Sequence, residues 1–211
     1  MKAALSTIAR SSRQTIAILS RDSTLSPPGL LYLPELITRD QERAVVEWLA
    51  ASSDWREVRF RGQVARRRVL SFGARYLTQG RRLEPAPPLP PELSVLRDRM
   101  VIAACARLGP QLALAGRSRA DFALCTVLRY APGAGIGWHT DNAAFGPTVL
   151  ALSLGTAARL QLRRGGDDAG APFDLALEPR SLFVLAGEAR AAWKHRLCPV
   201  QQERYSVTVR C

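Results

Sequence analysis

Between residues 122 and 209 the chain is a succession of short apolar runs separated by breaks rich in glycine and proline. The runs cover 122–130, 148–154, 159–162, 173–177, 181–185 and 205–209. Short strands repeated in this way, with turn residues between them, indicate a mostly antiparallel sandwich or jelly roll. Leu30-Leu31-Tyr32-Leu33, after Pro27-Pro28-Gly29, reads as one more strand, and 55–60 looks extended. Two segments have the helical period instead. Thr38 is a good N-cap with Gln41 in the capping-box position, opening a helix to about Ala51 whose face holds Ala44, Val45, Trp48 and Leu49. After an irregular loop with five prolines in 85–91, a second helix from about Pro91 to Leu108 carries a core stripe of Leu93, Leu96, Met100, Val101 and Ala104. The expected fold class is therefore mostly β with flanking helices (α+β), with the N-terminal helices packed outside a jelly-roll core.

At 211 residues the chain is long enough for one domain with a proper core, and no internal repeat or second domain is visible. A composition of 47% hydrophobic and 23% charged residues is that of a soluble globular protein. No apolar run approaches the roughly 20 residues that span a bilayer, so no membrane partner is expected. The formal charge is +12, and 28 of the 30 basic residues are arginine, which favours polyanionic partners and salt-sensitive association. Nine arginines fall within 56–82 against the single acid Glu57, with Phe60, Phe72 and Tyr76 interleaved. That span reads either as a solvated basic surface or as a nucleic-acid face, with arginines for phosphates and aromatics for an unpaired base. Four isolated cysteines without metal spacing fit a reduced, cytoplasmic setting. Residues 1–24, rich in Ser, Thr and Arg, are expected to be a flexible extension ahead of a single domain over 25–211, the whole acting as a monomer.

His139-Thr140-Asp141 is the strongest chemical signal. On an extended strand a spacing of two sends both side chains to one face. The only other histidine is His195. Two imidazoles and a carboxylate can cap one face of an octahedral ion, leaving three sites open, which suits non-haem Fe(II) that must also bind O2 and a co-substrate.

The surroundings of the triad carry a resemblance. Residues 129–141, Arg-Tyr-Ala-Pro-Gly-Ala-Gly-Ile-Gly-Trp-His-Thr-Asp, resemble the metal-site stretch of the AlkB-like Fe(II)/2-oxoglutarate dioxygenases. So do Leu152-Ser153-Leu154-Gly155, Pro179-Arg180-Ser181-Leu182, Gly187-Glu188-Ala189-Arg190 leading to His195, and the closing Arg204-Tyr205-Ser206-Val207-Thr208-Val209-Arg210. The resemblance is strong over 122–210 and looser over 30–83. It implies a double-stranded β-helix (cupin-like) core, with 120–211 as catalytic core and 25–90 as substrate-recognition region. It implies His139, Asp141 and His195 as ligands of Fe(II), and Tyr130, Arg204 and Arg210 as contacts of 2-oxoglutarate. Arg204 would hold the far carboxylate, for which arginine offers a planar fork that lysine lacks. The implied partner is DNA and/or RNA with alkylated bases, the implied reaction oxidative demethylation that releases formaldehyde, succinate and CO2. Arg66, Arg67, Arg68, Phe72, Tyr76 and Trp138 are the candidate substrate contacts, Phe72 and Tyr76 as stacking rings, and Trp138 equally fits packing beside the metal ligands. Two positions depart from the family pattern: Leu128 and Ser206 stand where asparagine is common. The loop 142–147, with Phe145, offers no carboxylate for reading an exocyclic amine. The alternatives are a tRNA-modifying hydroxylase or protein demethylase of the same family, and a nucleic-acid-binding relative without turnover.

Overall fold

A computed structural model describes residues 26–60, 63–77, 82–108, 118–165 and 170–211. The extension expected over 1–24 lies outside the described residues, as do Arg61, Arg81 and the side chain of Phe60. The elements run β1 (Leu30–Leu33), α1 (Arg39–Ala51), β2 (Arg56–Phe60), β3 (Gln63–Phe72), β4 (Ala74–Leu77), β5 (Arg82–Pro85), α2 (Pro91–Leu108), β6 (Leu124–Tyr130), β7 (Ile136–His139), β8 (Val149–Leu154), β9 (Ala158–Arg164), β10 (Phe173–Leu177), β11 (Leu182–Leu185), α3 (Gly187–Ala191), β12 (Trp193–Leu197) and β13 (Arg204–Arg210). The strands form a seven-stranded sheet in the order β1-β11-β8-β13-β6-β3-β2, a four-stranded sheet in the order β10-β9-β12-β7, and the hairpin β4-β5. All pairings are antiparallel. This is the mostly β, double-stranded β-helix architecture expected from the sequence.

The large sheet separates two cores. On one side Cys125, Val127, Leu152, Val207 and Val209 pack against α2. The whole expected α2 stripe, Leu93, Leu96, Met100, Val101 and Ala104, is buried there. α1 begins at the Thr38–Gln41 capping box and buries Leu49, while Ala44, placed on its apolar face by the sequence pattern, stays exposed. On the other side Tyr130, Val149 and Ala151 face Leu160, Leu162, Leu175, Leu177 and Leu197 of the small sheet. Between the two sheets opens a cavity of about 70 Å³, lined by Tyr130, His139, Asp141, His195, Arg204 and Arg210 among others.

Six elements have no counterpart in the apolar pattern: β3, β4, β5, β7, α3 and β12. β12 reads Trp-Lys-His-Arg-Leu, so its alternation is hidden by a polar residue at an inward position. β3 is likewise masked by three successive arginines.

Candidate metal centre

The register of the small sheet assembles the site. β12 pairs with β7 so that His195 lies directly opposite His139, with a shift of register before Ile136 meets Leu197. Two histidines 56 positions apart in sequence thereby bring their ring centroids to 4.2 Å. The loop before β7 is tied to the 198–200 segment by the Gly133 amide to the Val200 carbonyl (2.8 Å) and the Val200 amide to the Ala134 carbonyl (2.9 Å). Gly135 permits this approach, because a Cβ there would stand 2.6 Å from the Leu197 carbonyl oxygen. β7 ends at His139, and Asp141 lies just beyond it rather than within an extended strand as the spacing suggested. The carboxylate nevertheless joins the imidazoles: Asp141 Oδ1 is 3.5 Å from His139 Nε2 and 3.9 Å from His195 Nε2. One ligand atom from each of the three residues lies within 4.8 Å of the others, a spacing that could hold a metal ion.

The surrounding contacts prepare each group for that task. His139 Nδ1 is 2.8 Å from the Gly137 carbonyl. A carbonyl only accepts, so Nδ1 carries the hydrogen and Nε2 is the nitrogen turned to the cluster. Burial, with the neighbouring His139 adding to it, pushes the His195 imidazolium down to about 4 against the pull of Asp141. The ring is thus neutral at pH 7, the form that ligates a metal. Burial would raise the Asp141 carboxyl, but the facing His139 and the Arg210 guanidinium outweigh it and hold the group well below the usual carboxylate range. Arg210 reaches Asp141 Oδ2 at 3.5 Å and donates to Thr126 Oγ1 at 3.2 Å. Oδ2 is thereby turned to the arginine and Oδ1 to the imidazoles.

The peptide segment that carries Asp141 is fixed from behind. Arg190 of α3, 7% exposed, donates to the main-chain carbonyls of Asp141 (3.0 Å) and Asn142 (2.8 Å). The sequence placed Arg190 only in a stretch that resembles the family; nothing in its neighbourhood signals a contact 49 residues upstream.

At the other end of the cavity sits Arg204, 1% exposed. Its Nη2 donates to Ser153 Oγ at 3.0 Å, its Nε has no hydrogen-bond partner among the described residues, and its guanidinium lies 5.5 Å from the centre of the buried Tyr130 ring. No carboxylate among the described residues pairs with it. A buried, unneutralised guanidinium is costly unless an anion is supplied, so the donor set here fits a dicarboxylate reaching from the metal cluster to Arg204. Arg67 of β3 pairs across from Tyr130 and shares its face, reaching the Gly135 carbonyl at 3.4 Å. Leu128 and Ser206, the two departures from the family pattern, both line the cavity, and Ser206 Oγ lies 3.5 Å from Thr208 Oγ1.

The candidate substrate residues disperse. Neighbours along a strand point to opposite faces, so Arg66 and Arg68 are exposed on the face away from Arg67 and the three do not form one patch. Phe72 packs against the helix-side core, not the cavity. Trp138 faces the outer side of the small sheet, opposite to His139, where Arg163 and Arg196 lie over its ring. Tyr76 does reach the site. Its hydroxyl accepts from Asn142 Nδ2 at 2.7 Å, and its ring meets Phe145 edge-on at 5.3 Å. Phe145, which the sequence noted without a role, in turn lies 4.7 Å from the Arg210 guanidinium.

Comparison with known proteins bears on the same residues. A family model described as the 2OG-Fe(II) oxygenase superfamily matches residues 29–210. The chain is 29% identical over 174 residues to the tRNA (carboxymethyluridine(34)-5-O)-methyltransferase ALKBH8 of Mus musculus, a match covering 82% of the chain and 24% of that protein. It is also 29% identical over 193 residues to the alkylated DNA repair protein ALKBH8 homolog of Arabidopsis thaliana, covering 82% and 52%. The chain thus spans a quarter to a half of the length of these relatives. The solved structure of OsALKBH1 superposes with a TM-score of 0.66 at 18% identity, covering 88% of this chain and 97% of that one. A Pseudomonas putida prolyl-4-hydroxylase superposes at 0.58 and 17%, covering 86% and 92%. With the family model matching nearly its whole described length, the chain belongs to the 2OG-Fe(II) oxygenase superfamily, as an AlkB-like Fe(II)/2-oxoglutarate-dependent dioxygenase.

Proposed function

We propose that the protein oxidises an alkyl substituent on a base of DNA or RNA, with His139, Asp141 and His195 as the Fe(II) ligands and Arg204 as the anchor of 2-oxoglutarate. The observation that carries the site assignment is the pairing of two features in one cavity: an imidazole and carboxylate cluster at one end, and a buried guanidinium without a counter-ion among the described residues at the other. When bound, Fe(II), 2-oxoglutarate and O2 supply the oxidant for a C–H bond, with succinate and CO2 as co-products. The chain's residues bind and orient. Arg204 and Ser153 offer donors to the far carboxylate, and Tyr130 adds its hydroxyl nearby. Arg210 neutralises the side of Asp141 that faces away from the imidazoles. The leucines and Phe183 along the cavity wall keep water from the reacting centre. Tyr76 and Phe145 form an aromatic rim against which an extruded base can stack.

A nucleic-acid substrate is supported by the net charge of +12, by the exposed Arg66 and Arg68, and by relatives whose names refer to tRNA and to alkylated DNA. The tRNA reading has its own support in the mouse relative, although only a quarter of that protein is matched. One experiment separates the two. The purified protein is incubated with Fe(II), 2-oxoglutarate and oligonucleotides bearing 1-methyladenine or 3-methylcytosine, or with tRNA, and succinate and formaldehyde are both measured. Dealkylation releases the two together, because the hydroxylated N-methyl group collapses. Substrate-dependent succinate without formaldehyde indicates a stable hydroxylated nucleoside. Stimulation by neither nucleic acid refutes the base-directed reading.

A further inference from the structure

We propose that the outer face of the small sheet, centred on Arg163, Arg196 and Trp138, is a phosphate-binding surface that holds the nucleic-acid strand running away from the cavity. The inference rests on the base-directed reading above and adds a surface to it.

The strands that present the metal cluster inward present a basic face outward. β12 turns His195 and Leu197 into the cavity, so Lys194 and Arg196 point the other way. β9 places Arg163 opposite Lys194 and Gln161 opposite Arg196, and Trp138 of β7 completes the row. The guanidinium carbons of Arg163 and Arg196 lie 4.4 and 4.9 Å from the centre of the Trp138 ring. Arg196 is held at a second point, its Nε donating to Gln161 Oε1 at 2.6 Å. The nearby acid is already engaged: Asp174 receives Arg159 at 3.1 Å and Gln161 Nε2 at 2.7 Å. Neither Arg163 nor Arg196 has an acidic partner among the described residues.

Two guanidiniums gathered on one indole repel each other, and the ring's attraction offsets this only in part. An anion placed between them removes the repulsion, and arginine forks match phosphate oxygens in shape. Lys194, opposite Arg163 and without an acidic partner among the described residues, extends the positive row, which suits the repeating charges of a strand better than a single small anion. The path is short. β7 is the edge strand of its sheet, and Trp138 and His139 are adjacent residues on opposite faces of it. A strand whose base enters beside His139 turns over that edge onto Trp138. Trp138 on this account does not stack on the inserted base; it holds two arginines in place for the backbone.

The test is binding of a fluorescently labelled single-stranded oligonucleotide, read by anisotropy across a salt series. The protein is loaded with Fe(II) and 2-oxoglutarate under anaerobic conditions. Arg163→Gln with Arg196→Gln should weaken binding about tenfold at low salt. The slope of log affinity against log salt should flatten by roughly 1.4, or about 0.7 for each phosphate of a single strand that is no longer neutralised. Trp138→Leu, which keeps both charges but frees them, should weaken binding less and leave most of the slope. Arg163→Lys with Arg196→Lys should retain the slope, which separates charge from folding. Unchanged affinity and slope in the glutamine pair, with the wild type binding well, overturns this surface and leaves the base-directed reading standing. A wild type that binds no oligonucleotide overturns both.

Discussion

β6 and β13, the central strands of the large sheet, are covered on both faces, β13 buried along its whole length and β6 in part, yet the two faces carry opposite chemistry. Toward α2 they present Cys125, Val127, Tyr205, Val207 and Val209, with Cys125, Val127, Val207 and Val209 all at 0% exposure. Toward the cavity the same strands present Thr126, Tyr130, Arg204, Ser206, Thr208 and Arg210. The first face is dispersion and area burial, which stabilise the fold. The second places two arginines in low dielectric, one of them without an acid among the described residues, which no folding argument rewards. Equal burial therefore marks two different kinds of selection on one strand: packing on one side, ligand binding on the other.

Substitutions on the two faces should separate these roles, beginning with the largest effect. His139→Ala or Asp141→Ala removes one of three metal ligands on the cavity side. Iron binding and succinate release should both collapse, as chelator should make them do in the wild type, while the melting temperature of the metal-free protein barely moves in His139→Ala and falls in Asp141→Ala, where the buried Arg210 loses its partner. Near-normal succinate release from His139→Ala would show that the cluster is not the iron site.

Leu152→Ala and Arg204→Ala form a matched pair, one from each side. Leu152, 0% exposed in the helix-side core, should cost about 2–5 kcal/mol of stability on truncation, with 2-oxoglutarate affinity unchanged in the folded fraction. Arg204→Ala should do the reverse, losing about 2–5 kcal/mol of 2-oxoglutarate binding in an anaerobic titration. Arg204→Lys should also bind poorly, because an ammonium lacks the fork. Arg204→Met should leave the ligand-free protein as stable as before or more so, since a buried unpaired charge is removed. A marked fall in its melting temperature would assign Arg204 to structure instead.

Arg190→Met tests the boundary between the two roles. It removes two charged donors from the carbonyls of residues 141 and 142, each bond worth about 1.5–3 kcal/mol. Fe(II) affinity should drop by an order of magnitude, with partial rescue in Arg190→Lys. If the melting temperature falls and iron affinity does not, the residue supports only the fold.

The smallest effect concerns β3. Arg66→Gln with Arg68→Gln should flatten the salt dependence of oligonucleotide binding modestly, by at most about 1.8 in slope for two phosphates of a duplex, and leave 2-oxoglutarate affinity alone. Arg67→Gln, on the Tyr130 face, should shift 2-oxoglutarate affinity and leave the salt slope alone. Identical behaviour of the two variants would mean that the alternation along β3 does not separate their tasks.

Much of this was legible locally. The Thr38–Gln41 capping box, the α2 stripe and the run of short strands each depend on neighbours within a few residues, and the sequence carries such signals directly. The metal triad was legible because the chain has only two histidines, and its neighbouring motifs pointed to the family. What the sequence could not say was the phase of each strand relative to the two cores. β13 alternates visibly, Arg204, Ser206, Thr208 and Arg210 against Tyr205, Val207 and Val209, but both its sides are buried, so polarity does not mark solvent there, and β12 and β3 hide their phase behind a polar or charged residue at an inward position. So the tertiary structure alone decided that Phe72 packs under the helices, that Trp138 turns outward to Arg163 and Arg196, and that Arg66, Arg67 and Arg68 part company. It alone supplied the register that sets His195 against His139, and the reach of Arg190 to the Asp141 carbonyl. Local sequence determines which residues can lie in a strand; hydrogen-bond register between distant strands determines which of them meet.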